Sequence, residues 1–198
     1  IPAVSLSADP LYVVATDKPA MALALSVEFP TVGAQYRGNA DYSNSTEYIG
    51  YFDSESCYSY IDAPTETPVA GFTSSDYKRF QRVGAASSRM CGTSGAPDGF
   101  SGNFMNWASS SAIDMLRLAL TGGDRYVDTS TQTILQRAVL PNGDYENGCF
   151  FNNSSYFPYK QLKRSAGTGL PNYFGAVPSV MQTSAGTNDI YIGNRLNH

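Results

Sequence analysis

Apolar residues gather in short runs separated by long polar stretches. Residues 11–15 (Leu-Tyr-Val-Val-Ala) and 22–27 (Ala-Leu-Ala-Leu-Ser-Val) are β-rich. The second is nearly continuous in apolar character, as a strand buried on both faces of a mainly parallel sheet would be. It stops at Glu28-Phe29-Pro30, where proline ends regular pairing. The pattern then turns aromatic, with Tyr48-Ile49-Gly50-Tyr51-Phe52-Asp53 and Cys57-Tyr58-Ser59-Tyr60 predicting two short strands joined by a turn at 53–56. Residues 63–99 are polar, and their basic cluster Lys78, Arg79 and Arg82 reads as a solvated helix face.

The clearest periodicity comes next. Met105, Ala108, Ala112, Ile113, Leu116, Ala119 and Leu120 recur at helical spacing, which predicts one helix over 103–121 with Gly122-Gly123 as its stop. Phe104, Met105 and Trp107 read as core packing on it. Residues 131–140 fit a short helix, a strand, or a helix turning into a strand, and 189–193 fit a last strand. The expected fold is an α/β core, with strand 20–27 under helix 103–121 and long aromatic insertions between them. The alternative is α+β, because so long a gap separates that strand from that helix.

Composition narrows the function classes. The 198 residues suffice for one domain, and only 15% are charged, while Tyr (14) and Phe (10) far outnumber Trp (1). A net charge of −4 argues against nucleic-acid binding, which needs a basic field. No apolar run is long enough for a membrane span. No charged start leads into an apolar stretch, so a signal peptide is expected to have been removed.

Catalytic chemistry finds little to stand on. The one histidine is the terminal His198, and the three cysteines Cys57, Cys91 and Cys149 include no CxxC pair, which speaks against zinc and against Ser-His or Cys-His nucleophiles. The carboxylate pairs Asp53/Glu55 and Asp144/Glu146 flank turns and read as solvated or backbone-capping. Phosphate-binding glycine motifs are missing. Asn39, Asp41, Ser43, Ser45 and Glu47 alternate polar oxygens but lack the central glycine of a calcium loop, and read as a solvated loop. The expectation is a protein that is not an enzyme and holds no metal or cofactor here. With an odd cysteine count, a Cys57–Cys91 disulfide is the favoured pairing, stabilising by about 4 kcal/mol through loop closure. Three buried free thiols are the alternative.

Four segments, in order, resemble the N-terminal part of the PilC/PilY family of type IV pilus biogenesis factors and adhesins. They are Asp9-Pro10-Leu11-Tyr12 leading to residues 21–26; Gly50-Tyr51-Phe52-Asp53 with Cys57-Tyr58-Ser59-Tyr60; Ser101-Gly102-Asn103-Phe104-Met105-Asn106-Trp107-Ala108 running into Ile113-Asp114-Met115-Leu116-Arg117 and Gly122-Gly123; and Asp128-Thr129 with Leu135-Gln136-Arg137-Ala138 and Pro141. The third is the most specific. The resemblance implies a secreted bacterial protein at the tip of type IV pili, with minor pilins and a host or surface receptor as partners. It also implies a longer protein, whose C-terminal β-propeller would bind calcium and whose further cysteine could pair with Cys149.

Several family members carry a von Willebrand factor A-like domain, with a metal-binding D-x-S-x-S at the end of its first core strand. Here that strand ends Leu25-Ser26-Val27-Glu28, so the aspartate and second serine are missing and neither Ser26 nor Glu28 is assigned to a metal. The resemblance thus implies a von Willebrand factor A-like α/β region over 1–141, with an insertion at about 29–100, and a loop-rich aromatic extension at 142–198. Adhesion would draw on aromatic loops, for which Tyr36, Tyr42, Tyr145, Phe150, Phe151, Tyr156 and Tyr159 are candidates. Docking to a minor-pilin tip through a sheet edge is a compatible structural role. A secreted hydrolase is the reading that a pocket with two carboxylates would favour.

Overall fold

A computed structural model describes residues 29–37, 41–138, 158–162, 175–185 and 190–193. The expected strands at 11–15 and 22–27 lie outside them, as does Cys149. Within them the chain is mixed α and β. β1 (Ser56–Ile61) is the centre of a three-stranded sheet, flanked by β2 (Arg79–Ala85) and β3 (Phe100–Ser101). β4 (Arg125–Asp128) pairs with β5 (Thr133–Leu135), and β6 (Tyr159–Leu162) with β7 (Ile190–Gly193). Every described strand pair is antiparallel. A von Willebrand factor A-like core is therefore not shown, and the strand on which it would rest, 20–27, is outside the described residues.

The sheet forms where side chains alternate. On β1, Tyr58 and Tyr60 face Arg82 and Phe80 of β2, and Phe80 packs between Tyr60 (5.1 Å between ring centres) and Phe100 of β3 (5.4 Å). The basic cluster thus belongs to a strand and its approach, not to a helix face. Each member is held locally: Lys78 by Asp62 (2.8 Å), Arg79 by Glu66 (2.5 Å), and Arg82 through its Nε on Ser56 Oγ (2.7 Å). Cys57 of β1 is bonded to Cys91, with both cysteines buried, and ties the sheet to the loop before β3.

The expected helix is two. α1 (Gly102–Ser109) and α2 (Ala112–Thr121) are separated at Ser110-Ser111, both extended in backbone. The serine run explains the break. Ser111 caps α2 by accepting from Asp114 N–H (3.3 Å) while its hydroxyl donates to the Asp114 carboxylate (2.6 Å). The extended pair also meets the chain near Ala34, where Gln35 N–H donates to the Ser110 carbonyl (2.7 Å). α2 ends at Gly122, in the left-handed conformation at φ 79°. The break redirects α2, so Ile113 is buried while Leu116 and Leu120 of the expected apolar face are exposed.

The main core gathers Tyr42, Phe104, Trp107, Ala108, Leu162 and Val177. Of the stretch read as 131–140, residues 131–138 are described and contain β5 as a short strand, and of 189–193 the described residues 190–193 form β7. α3 (Ser179–Ala185), not expected from the sequence, begins at Ser179, whose N–H donates to Asp98 Oδ1 (2.9 Å).

Candidate functional site

Two segments of the sequence are built into one another. The first turns of α1 carry two buried asparagines, Asn103 and Asn106, three residues apart and so on one face. Against that face runs the chain at 46–52, and the strand expected over 48–53 is irregular there. Asn103 Oδ1 accepts from Tyr48 N–H (2.7 Å), and its Nδ2 donates to the Thr46 carbonyl (2.9 Å). Asn106 Oδ1 accepts from Phe52 N–H (3.0 Å), while its Nδ2 donates to the carbonyls of Tyr48 (2.8 Å) and Phe52 (2.7 Å). The two amides supply bonds that a strand neighbour would otherwise give.

Glycine permits the approach. A Cβ on Gly50 would stand 2.3 Å from Asn106 Oδ1 and 2.3 Å from Ser110 Oγ, and one on Gly102 would stand 2.0 Å from the Asp53 carbonyl. The spacing of the Gly-Tyr-Phe-Asp and Gly-Asn-Phe-Met-Asn-Trp segments is thus the geometry of a single joint.

Beside the joint opens a cleft of about 480 Å³. It lies between the aromatic face of the sheet, the break between α1 and α2, and the end of the β4–β5 hairpin. Phe52, Tyr58, Tyr60 and Phe80 line it, with Met105, Asp114 and Arg137. Three of the four segments that carry the family resemblance meet at this cleft. Tyr58 accepts from Asp53 N–H (2.8 Å) through its hydroxyl oxygen, and burial pushes its phenol up.

Asp114 and the partly buried Arg137 are charged residues of the lining, and Lys160 lies close enough to feel the Arg137 charge. The Asp114 carboxylate takes the Ser111 hydroxyl and the Ala138 N–H (2.7 Å). Burial depresses Arg137, and the nearby Asp114 charge partly offsets this. Lys160 of β6 is fully buried. Its ammonium donates to the Trp107 carbonyl and lies 4.9 Å from the centre of the Trp107 ring. Burial, with Arg137 adding repulsion, brings Lys160 down to about 8.

The residues singled out from sequence fall in several places. Tyr42 is a core residue, not a surface contact. Tyr36 is half-buried, its hydroxyl accepting from Ile49 N–H (2.7 Å). Tyr145, Phe150, Phe151, Tyr156, Asp144 and Glu146 lie outside the described residues, and nothing is described of the Tyr159 side chain. Asp53 caps its turn: it accepts from the Ser56 hydroxyl (2.5 Å) and Glu55 N–H (3.1 Å), which lowers its carboxyl below the usual range. Glu55 pairs with Arg89 (2.9 Å). Among the described residues no cluster of His, Cys, Asp or Glu could hold a metal, and the 41–47 stretch is bonded within itself between Ser43 and Ser45 (2.7 Å). Sequence reasoning passed over Arg137 and Lys160 as site residues. Only Arg137 carried a signal, its place in the fourth segment.

Comparison with known proteins decides the family. The profile described as "PilY1 homolog, small alpha/beta domain" matches residues 39–191. The chain belongs to this family. Two curated relatives, both type IV pilus biogenesis factor PilY1 homologs from Xylella fastidiosa (strain Temecula1), are 37% identical over 120 residues and 31% identical over 114 residues. These alignments cover 61% and 57% of this chain but only 9% and 6% of the relatives, so the chain spans a small part of their length. No solved structure matches the chain significantly. The family profile takes in both the Asn103–Asn106 joint and the cleft beside it.

Proposed function

We propose that this chain is part of an extracellular type IV pilus-associated protein, on the bacterial surface, that acts in adhesion and pilus assembly at the filament tip. Its partners in this reading are minor pilins and a host or surface receptor. The observation that carries it is the family match over 39–191, strengthened by relatives whose names state pilus biogenesis. The Cys57–Cys91 disulfide suits an oxidising compartment outside the cytosol. Among the described residues no helix is long and apolar enough to cross a membrane, which fits a protein held at the surface by partners. The reading needs no catalytic step and no cofactor in this chain, and any calcium would belong to another part of the protein.

The test is genetic. Removing residues 39–191 in frame from the full-length protein should lower surface piliation or adherence, with the truncated protein still exported. Unchanged piliation and adherence would contradict the reading. The alternative, a structural subunit of an extracellular filament or a secreted binding module, would show itself by label along whole filaments or on free material.

A further inference from the structure

The cleft beside the Asn103–Asn106 joint has the volume of a ligand pocket, about 480 Å³, and its lining divides by chemistry. Phe52, Tyr60 and Phe80 make an aromatic wall, with Phe80 at 6.0 Å from Phe52 and 5.1 Å from Tyr60 between ring centres. Of the cations that line it, Lys78 and Arg79 are already paired with Asp62 and Glu66. Arg137 differs, because its Nε donor is buried without a hydrogen-bond partner. An unmet charged donor in such a place is costly, and a carboxylate is the group that a guanidinium edge fits best. The Asp114 carboxylate does not meet it: its oxygens are engaged by Ser111 Oγ and Ala138 N–H. Lys160, close enough to be repelled by Arg137, is a second buried cation, so one carboxylate stands among two positive charges.

Among the described residues that surplus is a single charge. It suits one carboxylate better than a doubly charged phosphate, and the aromatic wall asks for an apolar neighbour on the same ligand. We propose that the cleft is a binding site for an acidic peptide segment of a partner protein, with its carboxylate on Arg137 and the adjoining apolar side chain against Phe52, Tyr60 and Phe80. A peptide occupant rests on the reading of the chain as a pilus-associated binding module.

The probe is the capped tripeptide acetyl-Phe-Glu-Phe-amide, titrated into the ¹⁵N-labelled 198-residue chain and followed by amide and arginine Nε–H resonances. Saturable shifts at the Arg137 Nε–H and at cleft amides are expected. The Gln analogue of the peptide should bind at least tenfold more weakly. Arg137→Gln should abolish the difference between the two peptides. Tyr60→Ser, at a half-exposed position, should weaken the Glu peptide at least threefold, with the amide spectrum away from the cleft unchanged. No saturable shift, equal affinity for both peptides, or shifts confined to another surface would overturn the proposal. Phenylacetate binding as tightly as the peptide would overturn the peptide occupant in favour of a small acid. The outcome is separable from the pilus reading: a failed titration beside lost piliation on domain removal defeats the cleft alone, and the converse defeats the pilus assignment alone.

Discussion

Asn103 and Asn106 give the chain at 46–52 the hydrogen bonds that a neighbouring strand would otherwise supply. Replacing Asn106 by Leu would strand Phe52 N–H and the carbonyls of Tyr48 and Phe52 in a part-buried setting. We expect Asn106→Leu to cost about 3 kcal/mol or more in urea unfolding, since each orphaned group costs on the order of 1–3 kcal/mol; a loss under 1 kcal/mol would mean that water reaches the joint. Gly50→Ala should be comparably severe, as its Cβ would stand 2.3 Å from Asn106 Oδ1. These asparagines were invisible to hydrophobic periodicity, because they are polar residues buried on a helix. Trp107 and Phe104 were legible as core because apolar spacing reports burial directly. Tyr42 misled because an aromatic in a polar stretch carries no sign of which way it faces.

At the scale of elements, the helix break shows where periodicity stops informing. Apolar spacing continues through Ser109-Ser110-Ser111 as though the helix did, while the capping geometry at Ser111 ends one helix and begins another. Ser111→Ala should destabilise by about 1 kcal/mol, or more given its burial, read as a shift in the urea midpoint. The break also leaves the Trp107 carbonyl near the end of α1 for Lys160. The sign of its pH effect follows from the depressed ammonium. Between pH 8 and the ordinary lysine range the unfolded chain holds more protons than the folded one, so stability rises with pH across that window. The difference in unfolding free energy between the native chain and Lys160→Met should therefore move in favour of the native chain from pH 8 to pH 10, by on the order of 1–3 kcal/mol. A flat difference would place the ammonium in contact with solvent. Removing the Cys57–Cys91 bridge by Ala substitution at both positions should cost about 4 kcal/mol, as the loop of 34 residues it closes predicts.

The whole molecule was read better through its ordered segments than through its strands. The second and third segments, far apart in sequence, meet in one joint, and the fourth joins them at the cleft, so these segments are tied by packing. Sheet architecture was less legible: the basic stretch at 79–85 hid a strand because charged residues carry no apolar alternation, although Arg79 is paired with Glu66 and the exposed Arg82 donates to the Ser56 hydroxyl. What joins these levels is the claim that the assembled domain serves at a pilus tip. Immunogold electron microscopy on producing cells, with antibody raised against this chain, tests it most directly. Label confined to filament tips is the predicted result. Label spaced along whole filaments, or found only on free material, would contradict it.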